Sequence, residues 1–235
     1  MPVIAIDGPS GAGKSSLSKA VAAKAGWGYL DTGALYRGLT WLAQQGGVSA
    51  PQEISNLVRG SKLNFNLDPL NPMLEAIDPD QKDKTKDLSA VIREELITNS
   101  VSDISAVPEV RAELLTLQRD LIEKSIAEFG GVVVEGRDIG TTVWPDAELK
   151  IFLTADVAAR AVRRQAQLSE LAEVSANSVA DSLAKRDAID SMRAASPLRQ
   201  SEDQIVLDAT YLNLEETIQA LWNLIEERKL NGREF

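Results

Sequence analysis

Gly8-Pro9-Ser10-Gly11-Ala12-Gly13-Lys14-Ser15 constrain this chain more than any other stretch of it. They follow the pattern glycine, four residues, glycine, lysine, then serine or threonine, in which a backbone loop cradles phosphates. Val3-Ile4-Ala5-Ile6 before them reads as a short buried strand. Ser15 to Ala25 after them reads as a helix, with Leu17, Val21 and Ala25 on one apolar face. Strand, glycine-rich turn and helix start together make an anion site. The glycines let successive N–H groups point inward, and the unpaired N–H groups of the first helical turn add partial positive charge. A glycine-rich structural turn is the competing reading, and the flanking strand and helix count against it. The expected binding set is Gly8, Pro9, Ser10, Gly11, Ala12, Gly13, Lys14, Ser15 and Ser16. In it Lys14 reaches the β- and γ-phosphates and the Ser15 hydroxyl ligates Mg²⁺.

Composition removes several other chemistries. The 235 residues contain no cysteine and no histidine, which excludes disulfide frameworks, thiol chemistry and histidine acid–base or metal chemistry. A formal charge of −10 argues against a polynucleotide partner, because such binders present a basic face. No apolar run approaches the length of a membrane span. The first strand begins by residue 3, so no signal peptide is expected, and the expected location is the cytoplasm.

Helical and strand patterns alternate along the chain, which predicts an α/β fold with a parallel sheet. Core strands are expected at about 3–6, 27–30, 132–135, 149–153 and 205–208. Helices are expected at about 34–45, 52–59, 87–100, 109–128, 156–170, 178–189 and 214–229, the last capped by Asn213 with Glu215 and Glu216 in its first turn. Residues 61–86 break this pattern. Leu63, Phe65 and Leu67 alternate with polar residues, Pro69, Pro72 and Pro79 punctuate, and a charged run from Lys82 to Asp87 follows. This predicts a small β insert of about three strands ending in a solvated stretch.

Two further segments carry charge to the ends of predicted strands, where open α/β sheets bind ligands, and a third carries it along predicted helices. Asp31-Thr32-Gly33-Ala34-Leu35-Tyr36-Arg37 follows the second strand, with Thr32 expected to cap the helix. Arg37 either clamps a second phosphate or is a surface arginine. Glu135-Gly136-Arg137-Asp138-Ile139-Gly140 ends the most β-branched strand. Glu135 is placed to hold Mg²⁺ through water and Arg137 to meet phosphate oxygens. Arg160, Arg163, Arg164, Lys185, Arg186 and Arg193 form a local excess of cations in an acidic chain. They read either as a solvated face or as a lid that neutralises a transferring phosphoryl group. Phosphoryl transfer needs positioning, Mg²⁺ and cations rather than covalent help. One phosphate cradle and a second anion site therefore suit a kinase with a phosphorylated acceptor. A guanine-reading Asn-Lys-x-Asp segment is absent. Lys14-Ser15-Ser16 after Gly11-Ala12-Gly13 breaks the dinucleotide-binding pattern.

These segments, in this order, resemble the bacterial cytidylate (CMP) kinase family nearly end to end. The similarity runs from Ile6–Lys14 through Leu30–Arg37, Pro108–Arg111, Glu135–Thr141, Pro145–Ala147, Lys150–Leu153 and the Arg186-Asp187-x-x-Asp190-x-x-Arg193 pattern to Leu207–Thr210. The resemblance implies a P-loop three-layer fold with a five-stranded parallel sheet, a small β insert in the nucleotide-acceptor region and a helical lid. It implies one kinase unit over 1–235, with core at about 1–30, 130–155 and 195–235, a CMP-binding region at about 31–129 and a lid at about 156–190. The implied reaction is ATP + (d)CMP → ADP + (d)CDP with Mg²⁺, in pyrimidine nucleotide metabolism, by a monomer. The implied CMP set is Thr32, Tyr36, Arg37, Ser102, Arg111, Arg137, Asp138, Arg186 and Asp190, and the implied catalytic cations are Lys14, Arg137, Arg160, Arg164 and Arg193. Ser102 and Arg111 would face cytosine with Asp138 near base and sugar. Arg37 and Arg137 would hold the CMP phosphate. Arg186 and Asp190 would meet the sugar hydroxyls. Thr32 replaces a common serine, Ser16 a threonine and Glu135 an aspartate, and Ile189 and Ser191 stand where some members carry arginines. A P-loop kinase for another phosphorylated acceptor, or a nucleotide-binding switch without turnover, are the alternatives.

Overall fold

The computed structural model describes residues 1–60, 63–77, 84–168, 176–193 and 195–231. Its elements run β1 (Val3–Asp7), α1 (Lys14–Ala25), β2 (Gly28–Asp31), α2 (Thr32–Gln45), α3 (Pro51–Gly60), β3 (Asn64–Asn66), β4 (Met73–Ile77) and β5 (Thr85–Asp87). After a short 3₁₀ turn at Val91–Arg93 come α4 (Glu95–Ser105), α5 (Pro108–Phe129) and β6 (Val132–Gly136). A wide turn at Ile139–Val143 follows, then β7 (Leu149–Thr154), α6 (Val157–Leu168), α7 (Ala176–Met192), β8 (Ile205–Asp208) and α8 (Leu214–Glu227).

Five strands form a parallel sheet in the order β2-β6-β1-β7-β8, as the alternating pattern predicts. Every residue of β1 and β6 is buried. Successive side chains of a strand point to opposite faces, so full burial means that helices cover both. This is why the two central strands are apolar runs rather than alternations, and it makes the layered α/β fold. In α8, Asn213 accepts from the Glu216 N–H while Glu216 returns a bond to the Asn213 N–H, a complete capping box.

Strands β3, β4 and β5 make a separate antiparallel sheet, in the order β3-β4-β5. Phe65, Leu74 and Ala76 point inward. The sheet docks on α2 where Gly38 leaves room: a Cβ there would stand 2.5 Å from Leu74 Cδ2. The Tyr29 N–H donates to Leu67 O at 2.8 Å and ties the small sheet to β2.

The expected helix over 87–100 is not formed as one element. Asp87 ends β5, its carboxylate accepts from the Ser89 N–H at 2.8 Å, and Leu88 is pulled into the core, so the chain turns before α4 can start at Glu95. Helix α2 begins at Thr32, not 34, and its cap is Asp31, whose side chain accepts from the Ala34 N–H at 3.0 Å. Thr32, expected as the cap, instead donates its hydroxyl to Glu135 O at 2.8 Å. Pro79 and the charged residues Lys82 and Asp83, part of the expected lid (169–175) and the last residues of the expected core (232–235) lie outside the described residues. Among the described residues no helix is long and apolar enough to cross a membrane.

Two substitutions test which contacts matter. Asn213→Ala removes a cap and should cost about 1 kcal/mol. Leu30→Ala empties a fully buried site in β2, and should cost about 2–5 kcal/mol. Urea unfolding of both variants measures the difference, and a larger loss at the cap would contradict the packing described.

Candidate active site

The carboxyl ends of β1, β2 and β6 open into one cleft of about 820 Å³. Strand β1 delivers the loop of residues 8–13. Gly8 takes φ 148° and lies so close to β7 that a Cβ would fall 2.0 Å from Leu153 O. Gly13 takes φ 99° and caps α1 without a side chain, so the first turn of α1 keeps its N–H groups for the cleft. Ser10 to Ser16 all line that cleft. Gly8 and Pro9 lie behind it, and their carbonyls accept from Lys14 Nζ at 2.9 Å each.

Strand β6 delivers Glu135. Tyr29 of β2 donates its hydroxyl to Glu135 Oε1 at 2.6 Å. The Tyr29 ring meets Phe65 of the small sheet edge-on, with centroids 6.1 Å apart. Burial pushes the Glu135 carboxyl up and Asp31 adds to this, while Lys14 and hydrogen bonds from Tyr29 and Ser15 hold it back. Burial and the Arg137 charge push the Lys14 ammonium down, opposed by Glu135 and Asp7. Ser15 and Glu135 together are a small set of hard oxygen donors, suited to a cation that takes its remaining ligands from phosphates and water. Among the described residues no cluster of three or more acidic side chains competes for a metal.

Past the loop, cations converge. Arg37 reaches in from α2, its guanidinium bonded to Ile92 O at 3.1 Å and Thr98 Oγ1 at 2.8 Å. It is pushed down to about 10, first by burial and then by Arg186, with Arg164 and Arg137 adding to this. Arg186 is likewise pushed to about 10 by burial and by Arg137 and Arg164. Four arginines this close in a half-buried cleft repel one another and call for an anion. Arg137 donates to Asp190 Oδ2 at 2.9 Å and to Ser10 Oγ at 2.7 Å.

Beyond them lies a buried polar corner. Arg111 of α5 donates to Asp138 and to Ser105 O, and sits 5.5 Å from the centre of the Tyr36 ring. Ser102 of α4 lines the same corner. Arg193 lies 3.6 Å from Asp138 and 3.5 Å from Asp190. All the residues expected to contact the acceptor therefore surround one space.

Arg160 does not join them. Its guanidinium bonds Ala155 O, Ser10 O and the Asp187 carboxylate, and it is buried behind the loop rather than lining the cleft. Arg160, expected among the catalytic cations, is thus held through Nε and Nη1 away from the cleft that Lys14, Arg137, Arg164 and Arg193 line. Arg163 bonds Ala12 O, Ala209 O and Leu212 O, joining α6 to the loop after β8. Arg164 faces the cleft.

Sequence reasoning missed three groups. Tyr29 gave no signal beyond being an aromatic in a strand. The wall formed by Leu212, Asn213 and Thr217 beside the loop looked like an ordinary helix start. Asp7 looked like the last residue of a strand. Its carboxylate accepts from the N–H groups of Ile139 (2.7 Å) and Gly140 (2.9 Å) and from Gln204 Nε2 (2.8 Å), fixing the turn that follows Arg137 and Asp138.

Known proteins resemble this chain over nearly its whole length. A model of the family described as cytidylate kinase matches residues 4–227. A cytidylate kinase of Streptomyces avermitilis is 46% identical over 229 residues, covering 97% of this chain and 94% of that protein. One of Exiguobacterium sp. is 41% identical over 229 residues, covering 96% and 97%. A solved structure of an uncharacterized protein from Eubacterium ventriosum shares the fold, with TM-score 0.52 and 11% identity over 96% of this chain and 98% of that one.

Asp7 makes a pH prediction. Burial raises its carboxyl from 3.8 to about 6, against the two backbone hydrogen bonds. Between those values the folded protein holds a proton that the unfolded chain has released. This group's contribution to stability therefore grows as pH falls from about 6 to about 4, by about 1 kcal/mol per pH unit. Above pH 6 it is flat and least favourable. Urea unfolding of parent and Asp7→Asn across pH 4–8 should show the parent gaining on the variant as pH falls. A constant gap would contradict the buried carboxyl.

Proposed function

The chain belongs to the cytidylate kinase family, and we propose that it transfers the γ-phosphoryl group of ATP to CMP and dCMP, giving ADP with CDP or dCDP. The observation that carries this reading is the convergence of Arg37, Arg137, Arg164 and Arg186 between the phosphate loop and the buried Arg111–Asp138 corner. Two phosphate-bearing ligands meeting end to end account for that placement. A single bound nucleotide does not need the second set.

In this reading the loop from Gly8 to Ser16 takes ATP. The wall at Leu212, Asn213 and Thr217 takes its base. Mg²⁺, held by Ser15 and through water by Glu135, supplies charge neutralisation at the β- and γ-phosphates. Lys14 brings its ammonium from the Gly8 and Pro9 carbonyls to the same oxygens. Arg37 and Arg137 hold the acceptor phosphate in line. Arg164 and Arg193 add positive charge where the transferring group spreads its own over three oxygens.

Cytosine occupies the buried corner. Its O2 and N3 accept from Arg111, and its exocyclic amino group donates to the Asp138 carboxylate or the Ser102 hydroxyl. Uracil reverses donor and acceptor at N3 and position 4, so it leaves buried groups unpaired. Tyr36 backs the Arg111 guanidinium. Thr32, Arg186 and Asp190 border the sugar. This reading sets the chain in pyrimidine nucleotide metabolism, as a cytoplasmic monomer.

An acceptor panel with ATP and Mg²⁺, read by coupled ADP release, tests the reading. CMP and dCMP should exceed UMP, AMP and GMP in kcat/KM by on the order of 10²-fold, the penalty of mispaired buried polar groups. Better use of UMP or AMP would move the enzyme to another acceptor. Arg111→Met should lower kcat/KM for CMP by about 10²-fold, the loss of one buried charge-assisted contact. KM for ATP should stay within about two-fold, as expected for a group that contacts only the acceptor. An unchanged CMP profile would remove Arg111 from the base site.

A further inference from the structure

Ser10 sits at the tip of the phosphate loop, buried, and all three of its polar atoms are engaged by different parts of the chain. Its N–H donates to Asp187 Oδ1 at 3.0 Å. Its carbonyl accepts from Arg160 Nη1 at 2.9 Å, and that same guanidinium is paired with Asp187. Its hydroxyl accepts from Arg137 Nη2 at 2.7 Å. Arg137 is tied in turn to Asp190, one helical turn beyond Asp187 on α7. The contacts close into a ring: Ser10, Asp187, Asp190, Arg137 and Ser10 again. One side of the ring is the loop of the donor site. The other two are α7 and the end of β6, which carry acceptor-site side chains.

We propose that this ring couples the two nucleotide sites, with Asp187 and Arg160 as positioning residues that lock the loop tip to α7. The inference rests on the reading of the cleft as adjoining ATP and CMP sites. A ligand phosphate that fixes Arg137 also fixes the Ser10 hydroxyl. A triphosphate that orders the loop holds Ser10, and through it Asp187 and α7. Each ligand therefore meets a site that the other has already ordered, which gives positive and reciprocal coupling. Asp187 is suited to this task. It contacts neither ligand space directly, and its two oxygens serve the loop backbone and the Arg160 guanidinium separately.

Calorimetric titration of the full chain with a non-hydrolysable ATP analogue, with and without saturating CMP, measures the coupling. In the parent, CMP should tighten analogue binding about five-fold or more, and the analogue should tighten CMP by the same factor. In Asp187→Ala the factor should fall below about two-fold, the outcome expected when the coupling free energy is lost. The melting temperature of each form, with and without the analogue, identifies a variant that has failed to fold. In that event Asp187→Asn, which has the same shape and keeps an acceptor for the Ser10 N–H but loses the charge facing Arg160, carries the test, with an intermediate factor expected. A parent factor of one, or a parent-like factor in a folded variant, overturns the coupling. Independent binding of both ligands leaves the kinase reading intact and removes only this inference. Failure of either ligand to bind the parent removes the kinase reading itself.

Discussion

Like charge held at close quarters is the constraint around which the cleft is organised. Arg37, Arg137, Arg164 and Arg186 face a common space, and Lys14 adds a fifth cation within reach of Arg137. Left alone, such a set would push the walls apart. Asp190 answers Arg137 and Arg193, Asp138 answers Arg111 and Arg193, and Glu135 answers Lys14. Each carboxylate restrains its partners without cancelling them. The positive potential that remains is strongest where burial has lowered the local dielectric.

That electrostatic arrangement is held by parallel strands ending together. The registers of β2, β6 and β1 place Asp31, Glu135 and Ile6 side by side, with Asp7 beside Gly136. The phosphate loop, the Glu135 carboxylate and Arg137 are therefore neighbours by sheet register rather than by sequence. Asp7 then reaches across to the turn at Ile139–Gly140 and to Gln204. A buried carboxylate is costly, but three donors converge on it, and they fix the turn that follows Arg137 and Asp138.

Much of this was legible from residues alone. Val132-Val133-Val134 announced a strand buried on both faces. The alternation at Leu63, Phe65 and Leu67 announced a half-buried sheet, and Asn213 with Glu216 announced a cap. These are local signals, set by side-chain periodicity and by capping chemistry. The stretch after Asp87 misled because its charged and apolar residues fit a helical pattern. Pairing with β4 took Thr85–Asp87 into the small sheet, and burial of Leu88 delayed the helix to Glu95. Thr32 misled for a similar reason. Asp31 and Thr32 are both good caps, and the choice fell to Asp31 once the Thr32 hydroxyl found the Glu135 carbonyl on the next strand.

The sequence by itself determined a glycine-rich loop at residues 8–15 between a buried strand and a helix start, and a parallel sheet that presents it. Glycines at fixed spacing, an apolar strand and a helix start leave little else possible. Only the tertiary structure decided which of the arginines face the cleft. Arg160, Arg163 and Arg164 are near neighbours on one helix with the same chemistry. Arg160 is buried behind the loop on Ser10 and Asp187, whereas Arg163, bonded to the loop after β8, and Arg164 both line the cleft. A guanidinium's role depends on which acceptors lie within about 3 Å of it, and for Arg160 those come from Asp187, 27 residues on, and from Ser10, 150 residues back.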